Sequence, residues 1–113
     1  MGNLYRFVEP VLLFLLKRKG RCHGYELASD VREYALTDSE IEIAALYRTL
    51  RQMEKNGCVK SEWEMDGSGP ARRSYVLTPH GEDHLQEWIV VLDNMGKSMK
   101  RFVRAARVAK GVH

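Results

Sequence analysis

Cysteine and proline are scarce in this chain of 113 residues, which has two cysteines and three prolines. Cys22 and Cys58 are too few for a disulfide framework, and no spacing of ligand residues favours a zinc site. No apolar run approaches the about 18 residues that a membrane span needs. The short apolar stretch Val11–Leu16 precedes its basic neighbours, the reverse of a secretory signal, so we expect a cytoplasmic protein.

Acidic residues are absent from the last 20 positions. Residues 1–93 carry 12 basic and 15 acidic side chains, whereas residues 94–113 carry six basic side chains. A slightly acidic body with a basic tail favours contact with a polyanion or an acidic partner, although a solvated helix face would have the same composition. No nucleophile–base pair or phosphate-cradling loop is apparent, and we expect neither an enzyme nor a bound cofactor.

Three helices are predicted in the first half of the chain. The first runs from about Leu4 to Lys19, because apolar residues recur there at spacings of three and four, and Gly20 ends it. The second covers residues 23–34. The third ends at Asn56-Gly57 and begins either at Ser39, as the start of a capping box, or three residues later with Glu42 as the cap.

Two alternating segments predict a β-hairpin. They cover residues 59–65 and 73–77, and the turn-rich segment 66–71 lies between them. Thr78-Pro79 then starts a last helix that extends to about Val108, roughly 45 Å at 1.5 Å per residue.

The last helix carries an apolar seam with alternating steps of three and four, the spacing of a coiled coil. A helix of this length cannot bury such a seam on so small a body, so we expect it to pair with a second copy, although part of it could fold back on the first helix. The predicted dimer interface consists of Leu4, Phe7, Val8, Leu85, Trp88, Leu92, Met95, Met99 and Phe102.

This order of elements predicts a mainly α protein with a small β-hairpin. Residues 1–78 form a winged helix-turn-helix domain, and residues 79–113 form a dimerisation helix with a basic tail. In this architecture the third helix enters the major groove of double-stranded DNA and the hairpin wing touches the neighbouring backbone. The predicted DNA-binding residues are Ala45, Tyr47, Arg48, Arg51, Gln52, Lys55, Arg72 and Arg73.

Four of these residues have structural alternatives. One of Arg48 and Arg51 could pair with Glu54 or another local acid instead of contacting a base. Tyr47 could pack at the edge of the core rather than contact a phosphate. Strand alternation places Arg73 toward the body, where it could pair with an acid such as Glu62 or Glu64, whereas Arg72 is the better candidate for DNA.

Six short motifs follow one another in an order that resembles the PadR family of transcriptional regulators. They are HGYEL at 23–27, LYRTL at 46–50, MEKNG at 53–57, SEW at 61–63, GPARRSYVLTPHG at 69–81 and LQEW at 85–88. The resemblance implies a homodimeric winged-helix protein, usually a repressor, whose DNA binding is often relieved by a small molecule. It also implies a phosphate contact for Tyr47. The single last helix resembles the smaller subgroup, but Ile43-Ala44 stands where many members have proline-glycine.

We therefore expect a sequence-specific repressor that binds a palindromic operator as a homodimer. Trp88 and Leu92 could line a pocket for a small apolar or aromatic effector, or they could be plain dimer packing. The competing hypothesis is a winged-helix module for protein–protein interaction without sequence-specific DNA binding, which the acidic balance of residues 1–93 slightly favours.

Overall fold

The computed structural model describes residues 7–34, 42–65 and 69–109. Four α-helices and a small sheet follow one another along the chain. They are α1 (Val8–Lys19), β1 (Cys22–His23), α2 (Gly24–Asp30) with a 3-10 turn over Val31–Tyr34, α3 (Ile43–Lys55), β2 (Val59–Glu64), β3 (Arg72–Leu77) and α4 (Pro79–Ala109). The predicted fold class, a mainly helical winged helix with a long last helix, is confirmed.

Helix α1 forms the centre of the core. Leu12, Leu13, Leu15 and Leu16 are almost completely buried. Pro10 lies in the first turn, where its missing N–H costs no helical hydrogen bond. The helix ends at Gly20, whose positive φ of 80° suits glycine. The predicted earlier start at Leu4 lies outside the described residues.

Helix α3 begins at Ile43 with Glu42 as its N-cap residue, so the later of the two predicted starts is confirmed. Ser39 lies outside the described residues. The predicted core side of the helix is also confirmed, because Leu46, Leu50 and Met53 are buried.

Ala45 is a correction to the predicted outer face of α3. It is only 2% exposed. Helix α3 packs against α1, α2 and β2 together, so its buried stripe is wider than one row of leucines and includes this small residue.

The sheet has three antiparallel strands in the order β1-β3-β2, where the sequence predicted a two-stranded hairpin. The extra strand is two residues long, with Cys22 opposite Tyr75 and His23 opposite Ser74. In the hairpin, Val59 pairs with Leu77 and Glu64 pairs with Arg72 at the end nearest the wing tip. The tip itself, residues 66–68, lies outside the described residues.

The start of α4 is joined to the end of α3 by a compact set of hydrogen bonds. The Thr78 hydroxyl accepts from the Gly81 N–H at 3.0 Å, which caps α4, and it donates to the Gly57 carbonyl. The Thr78 N–H donates to the Cys58 carbonyl at 3.0 Å. Gly81 is buried here, and a Cβ at this position would lie 2.1 Å from the Cys58 oxygen. Only glycine allows this approach of helix and chain.

Helix α4 has two different halves. Its first turns contribute Leu85 to the core and pack Trp88 beside it. Its second half leaves the body, and Met99 and Phe102 are 58% and 71% exposed. The described residues measure 67 Å along their longest axis and about 27 Å across.

Two residues of the predicted dimer interface are already buried in the protein's own core. Val8 and Leu85 are 2% and 5% exposed, because α1 and the start of α4 pack directly against each other. They have almost no surface left for a second chain. Leu4 lies outside the described residues.

A glycine-to-alanine substitution tests the junction between α3 and α4. Gly81→Ala should lower the free energy of unfolding by about 2 kcal/mol, because its methyl group meets backbone that cannot yield cheaply. The measurement is chemical denaturation followed by circular dichroism at a fixed protein concentration.

Gly96→Ala is the matched control in the same helix. A Cβ at Gly96 would meet nothing within 4 Å, so this variant should gain about 1 kcal/mol from helix propensity. Equal effects of the two substitutions would contradict the close approach at Gly81.

Candidate nucleic-acid interface

The outer face of α3 is polar and basic. Four of the side chains predicted to bind DNA are exposed along it, namely Arg48, Arg51, Gln52 and Lys55. Among the residues that the structure describes, Arg48, Arg51 and Lys55 take part in no ion pair. Gln52 donates to the side-chain oxygen of Asn56 at 3.2 Å. Because no carboxylate within residues 7–34, 42–65 and 69–109 pairs with these cations, the face suits a polyanion.

Tyr47 lies at the edge of the core, half-buried against α2. Its ring and hydroxyl cover the backbone of Gly24, where a Cβ would lie 2.6 Å from the Tyr47 ring. The geometry therefore agrees with the packing alternative for this residue, and it explains why a glycine starts α2.

Arg72 and Arg73 are adjacent in β3 and have different environments. Arg72 is exposed and donates to the hydroxyl of Tyr25 at 3.1 Å. Arg73 turns toward the body, where its guanidinium donates to Ser61 at 2.9 Å and to Glu54 at 3.3 Å. Arg73 thus has an acidic partner, as the alternative anticipated, but that partner comes from α3 rather than from the neighbouring strand.

Near the tip end of the hairpin, His23 lies between two carboxylates. Its Nδ1 is 2.8 Å from Glu26 and its Nε2 is 2.7 Å from Glu64. The hydrogen bonds to Glu64 and then Glu26 raise the pKa of the His23 ring above its ordinary value. The same hydrogen bonds hold the pKa of both glutamates below the ordinary value. The neighbouring thiol of Cys22 is buried, which raises its pKa to about 11 and keeps it protonated.

An apolar groove of about 280 Å³ lies between α1 and α4. Trp88 and Leu92, the two residues predicted to line an effector pocket, both line it, together with Phe14, Tyr34 and Ile89. The indole N–H of Trp88 donates to Glu9 at 2.8 Å, which fixes the ring at one end of the groove.

Sequence reasoning missed several residues that organise this region. The sequence predicts neither the bond between Glu9 and Trp88 nor the pairing of Glu54 with Arg73, because these partners are distant in sequence, and it offers Glu54 only as a partner for Arg48 or Arg51. From the sequence, His23 is noted only as the first residue of the HGYEL motif. Its spacing of three from Glu26 is that of a capping box, and the Glu26 carboxylate accepts from the backbone N–H of His23 at 3.2 Å.

Two negative findings apply to the described part of the chain. None of its helices combines the length and the low polarity that crossing a lipid bilayer requires. Nor do histidine, cysteine, aspartate and glutamate side chains gather there in groups of three that could hold a metal ion.

Comparison with known proteins identifies one family. The model of the transcriptional regulator PadR-like family matches residues 12–87. A PadR family transcription regulator from Clostridium difficile R20291 is 28% identical, with a TM-score of 0.73 over 86% of this chain and 98% of that one. A transcriptional regulator from Clostridium thermocellum is 26% identical, with a TM-score of 0.77 over 91% and 97%.

A third structure contains DNA. It is Bacillus subtilis PadR in complex with operator DNA, 25% identical, with a TM-score of 0.65 over 75% of this chain and 48% of that one. No curated protein matches the chain.

Proposed function

Because this chain belongs to the PadR-like family of transcriptional regulators, we propose that it is a homodimeric repressor that binds a palindromic DNA operator. The observation that carries the proposal is the outer face of α3, where Arg48, Arg51 and Lys55 are exposed beside one another on a helix held rigidly by its buried side. The operator complex of Bacillus subtilis PadR supports it.

The chemistry of the α3 face fits a major groove. Arginine can donate two hydrogen bonds to the O6 and N7 atoms of guanine, and lysine can neutralise phosphates. We assign Arg48, Arg51, Gln52 and Lys55 to this contact and Arg72 to the flanking backbone. Arg73, Ala45 and Tyr47 are left out of the assignment, because the first is engaged with Glu54, the second is buried and the third packs over Gly24.

The exposed half of α4 supports dimerisation. Its seam begins at Trp88 and Leu92, next to Phe7, and continues through Met95, Met99 and Phe102 beyond the body of the protein. Pairing of two such seams would bury apolar surface that one chain leaves in water. We therefore propose that residues 1–78 bind DNA and residues 79–113 join two copies, so that two α3 helices meet half-sites about one turn of DNA apart.

Arg51→Ala tests base recognition by α3. We expect it to weaken binding to the best duplex selected from a random library by about tenfold, with a smaller loss on unrelated duplexes, since a base contact is worth about 1–3 kcal/mol of discrimination. Fluorescence anisotropy over a series of salt concentrations measures both affinities.

Lys60→Ala is the matched control, because it removes one exposed positive charge from β2, outside the row of side chains assigned to DNA. Equal losses on all duplexes for Arg51→Ala would contradict base recognition. Selection of no duplex at all would favour the protein-interaction module instead.

Met99→Glu tests the seam. We expect sedimentation to show a monomer at micromolar concentration where the original protein is a dimer, because a charge cannot be buried unpaired in the interface. Val108→Glu is the control, since residue 108 is nine positions later, or about two and a half turns, and lies on the opposite side of α4. Dissociation by Val108→Glu alone would contradict this interface.

We place the effector site in the groove between α1 and α4, because its lining is apolar and aromatic and suits a flat organic molecule. In a Trp63→Phe background, which leaves Trp88 as the single tryptophan, the dye anilinonaphthalene sulfonate should quench Trp88 fluorescence and saturate. Ile89→Glu should weaken dye binding, whereas Val90→Glu, which does not line the groove, should not. Equal effects of the two variants would contradict this site.

A further inference from the structure

We propose that His23 is a positioning residue for the wing, which holds the carboxylate of Glu64 away from Arg72 as long as its ring is protonated. Loss of that proton would free Glu64 to compete with DNA phosphate for the Arg72 guanidinium. This inference rests on the proposed DNA-binding function and adds a dependence on pH to it.

Four side chains near the tip end of the hairpin form a series of contacts whose two ends, Glu64 and Arg72, belong to opposite strands. Glu64 in β2 contacts His23, and His23 stacks on Tyr25 with ring centroids 5.4 Å apart and planes 6° from parallel. The Tyr25 hydroxyl accepts from Arg72, and Arg72 stands directly opposite Glu64 in the β2–β3 register. The start of α2 is thereby connected to both strands of the wing.

The position of His23 between two carboxylates demands the imidazolium form. A neutral imidazole has one N–H, so it can donate to Glu26 or to Glu64 but not to both. The other carboxylate would then face a ring lone pair. Only the charged ring, with an N–H on each nitrogen, satisfies the geometry at 2.8 Å and 2.7 Å.

Deprotonation should release Glu64 rather than Glu26. Glu26 is held twice, since it also accepts from the backbone N–H of His23 at 3.2 Å, and this pair caps α2. Glu64 is 42% exposed at the end of β2, and the Nε2 contact lowers its pKa more than its hydrogen bond with Ser74 does. A neutral ring would keep its proton on Nδ1 for Glu26 and lose the contact to the wing.

The freed Glu64 has one cation directly across the hairpin. Residues opposite each other in an antiparallel pair have Cβ atoms about 5 Å apart, within reach of an ion pair between Glu64 and Arg72. An ion pair there would cancel the positive charge that we assign to the DNA backbone. Binding should therefore weaken as the His23 proton is lost.

The other titratable groups near His23, Glu26 and Glu64 either have a partner already or are neutral. Arg21, which precedes β1, contacts Glu62 at 3.4 Å and lies near Glu64. Lys19 at the end of α1 pairs with Asp30 and lies near Glu26. The nearby Cys22 thiol stays neutral because burial raises its pKa. Neither cation contacts His23, so the two carboxylates dominate its surroundings.

The sign of the pH effect follows from these contacts. The pKa of His23 is raised above the ordinary 6.5, so the stabilising contribution of the cluster is complete below about pH 6.5 and is lost as the pH rises through the raised value. The pKa of Glu64 is lowered, so this carboxylate stays ionised throughout that range.

The experiment measures affinity for the best duplex selected by the protein at pH 6, between pH 5.5 and 8.5 at constant ionic strength. The original protein should lose about tenfold in affinity as the pH rises, the worth of one charge-assisted contact. Glu64→Gln should bind tightly across the range, and His23→Gln should bind weakly across it. His84→Gln, on α4, should keep the original profile.

The same variants are followed by NMR titration of the histidine rings without DNA. His23 should titrate above its ordinary pKa, and Glu64→Gln should lower that value. The inference would be overturned if the pKa of His23 were not raised. It would also be overturned if Glu64→Gln and His23→Gln both kept the pH profile of the original protein. If no duplex binds at any pH, the proposed function fails, and the ring titration still decides whether His23 holds Glu64.

Discussion

The close contact between Gly81 and the Cys58 carbonyl is the constraint on which the rest of the molecule depends. At this point the chain just after α3, the end of β3 and the first turn of α4 are in direct contact. Thr78 caps α4 and donates to Gly57, so the same hydroxyl fixes both helices. The helix assigned to DNA and the helix assigned to the partner chain are therefore held in one geometry. The proposed dimer needs that rigidity, because its two α3 helices would have to match two half-sites at once.

Local sequence signals were enough to predict the helix ends that have a capping or stop residue of their own. Asn56-Gly57 ended α3 and Thr78-Pro79 began α4, as expected, because caps and helix stops act within a few residues. Strand β1 could not be predicted, since two residues have no periodicity and this strand exists only by pairing with β3. The burial of Ala45 and the partner of Arg73 also escaped prediction, because both depend on which elements pack against α3.

Net charge is a poor description of this protein, because most of its described acidic side chains are engaged internally. Glu9 accepts from Trp88, Glu54 binds Arg73, and Glu26 and Glu64 flank His23. These carboxylates position aromatic and cationic groups instead of forming an acidic surface. The acidic balance of residues 1–93, which slightly favoured a protein-interaction module, therefore loses much of its weight against the basic outer face of α3.

The second half of α4 connects stability, assembly and DNA binding in the proposed dimer. The radius of gyration is 17.4 Å, against about 13 Å for a compact chain of this length, because this half packs on no other element that the structure describes. A helical segment of about 15 residues is marginal in water without packing, so its helicity would depend on a second seam. On dilution, the second half of α4 should lose its helical structure at the same time as the dimer, with its two α3 helices, dissociates. A regulator built in this way loses operator affinity when its partner dissociates, while the wing and α3 stay folded around the core of α1.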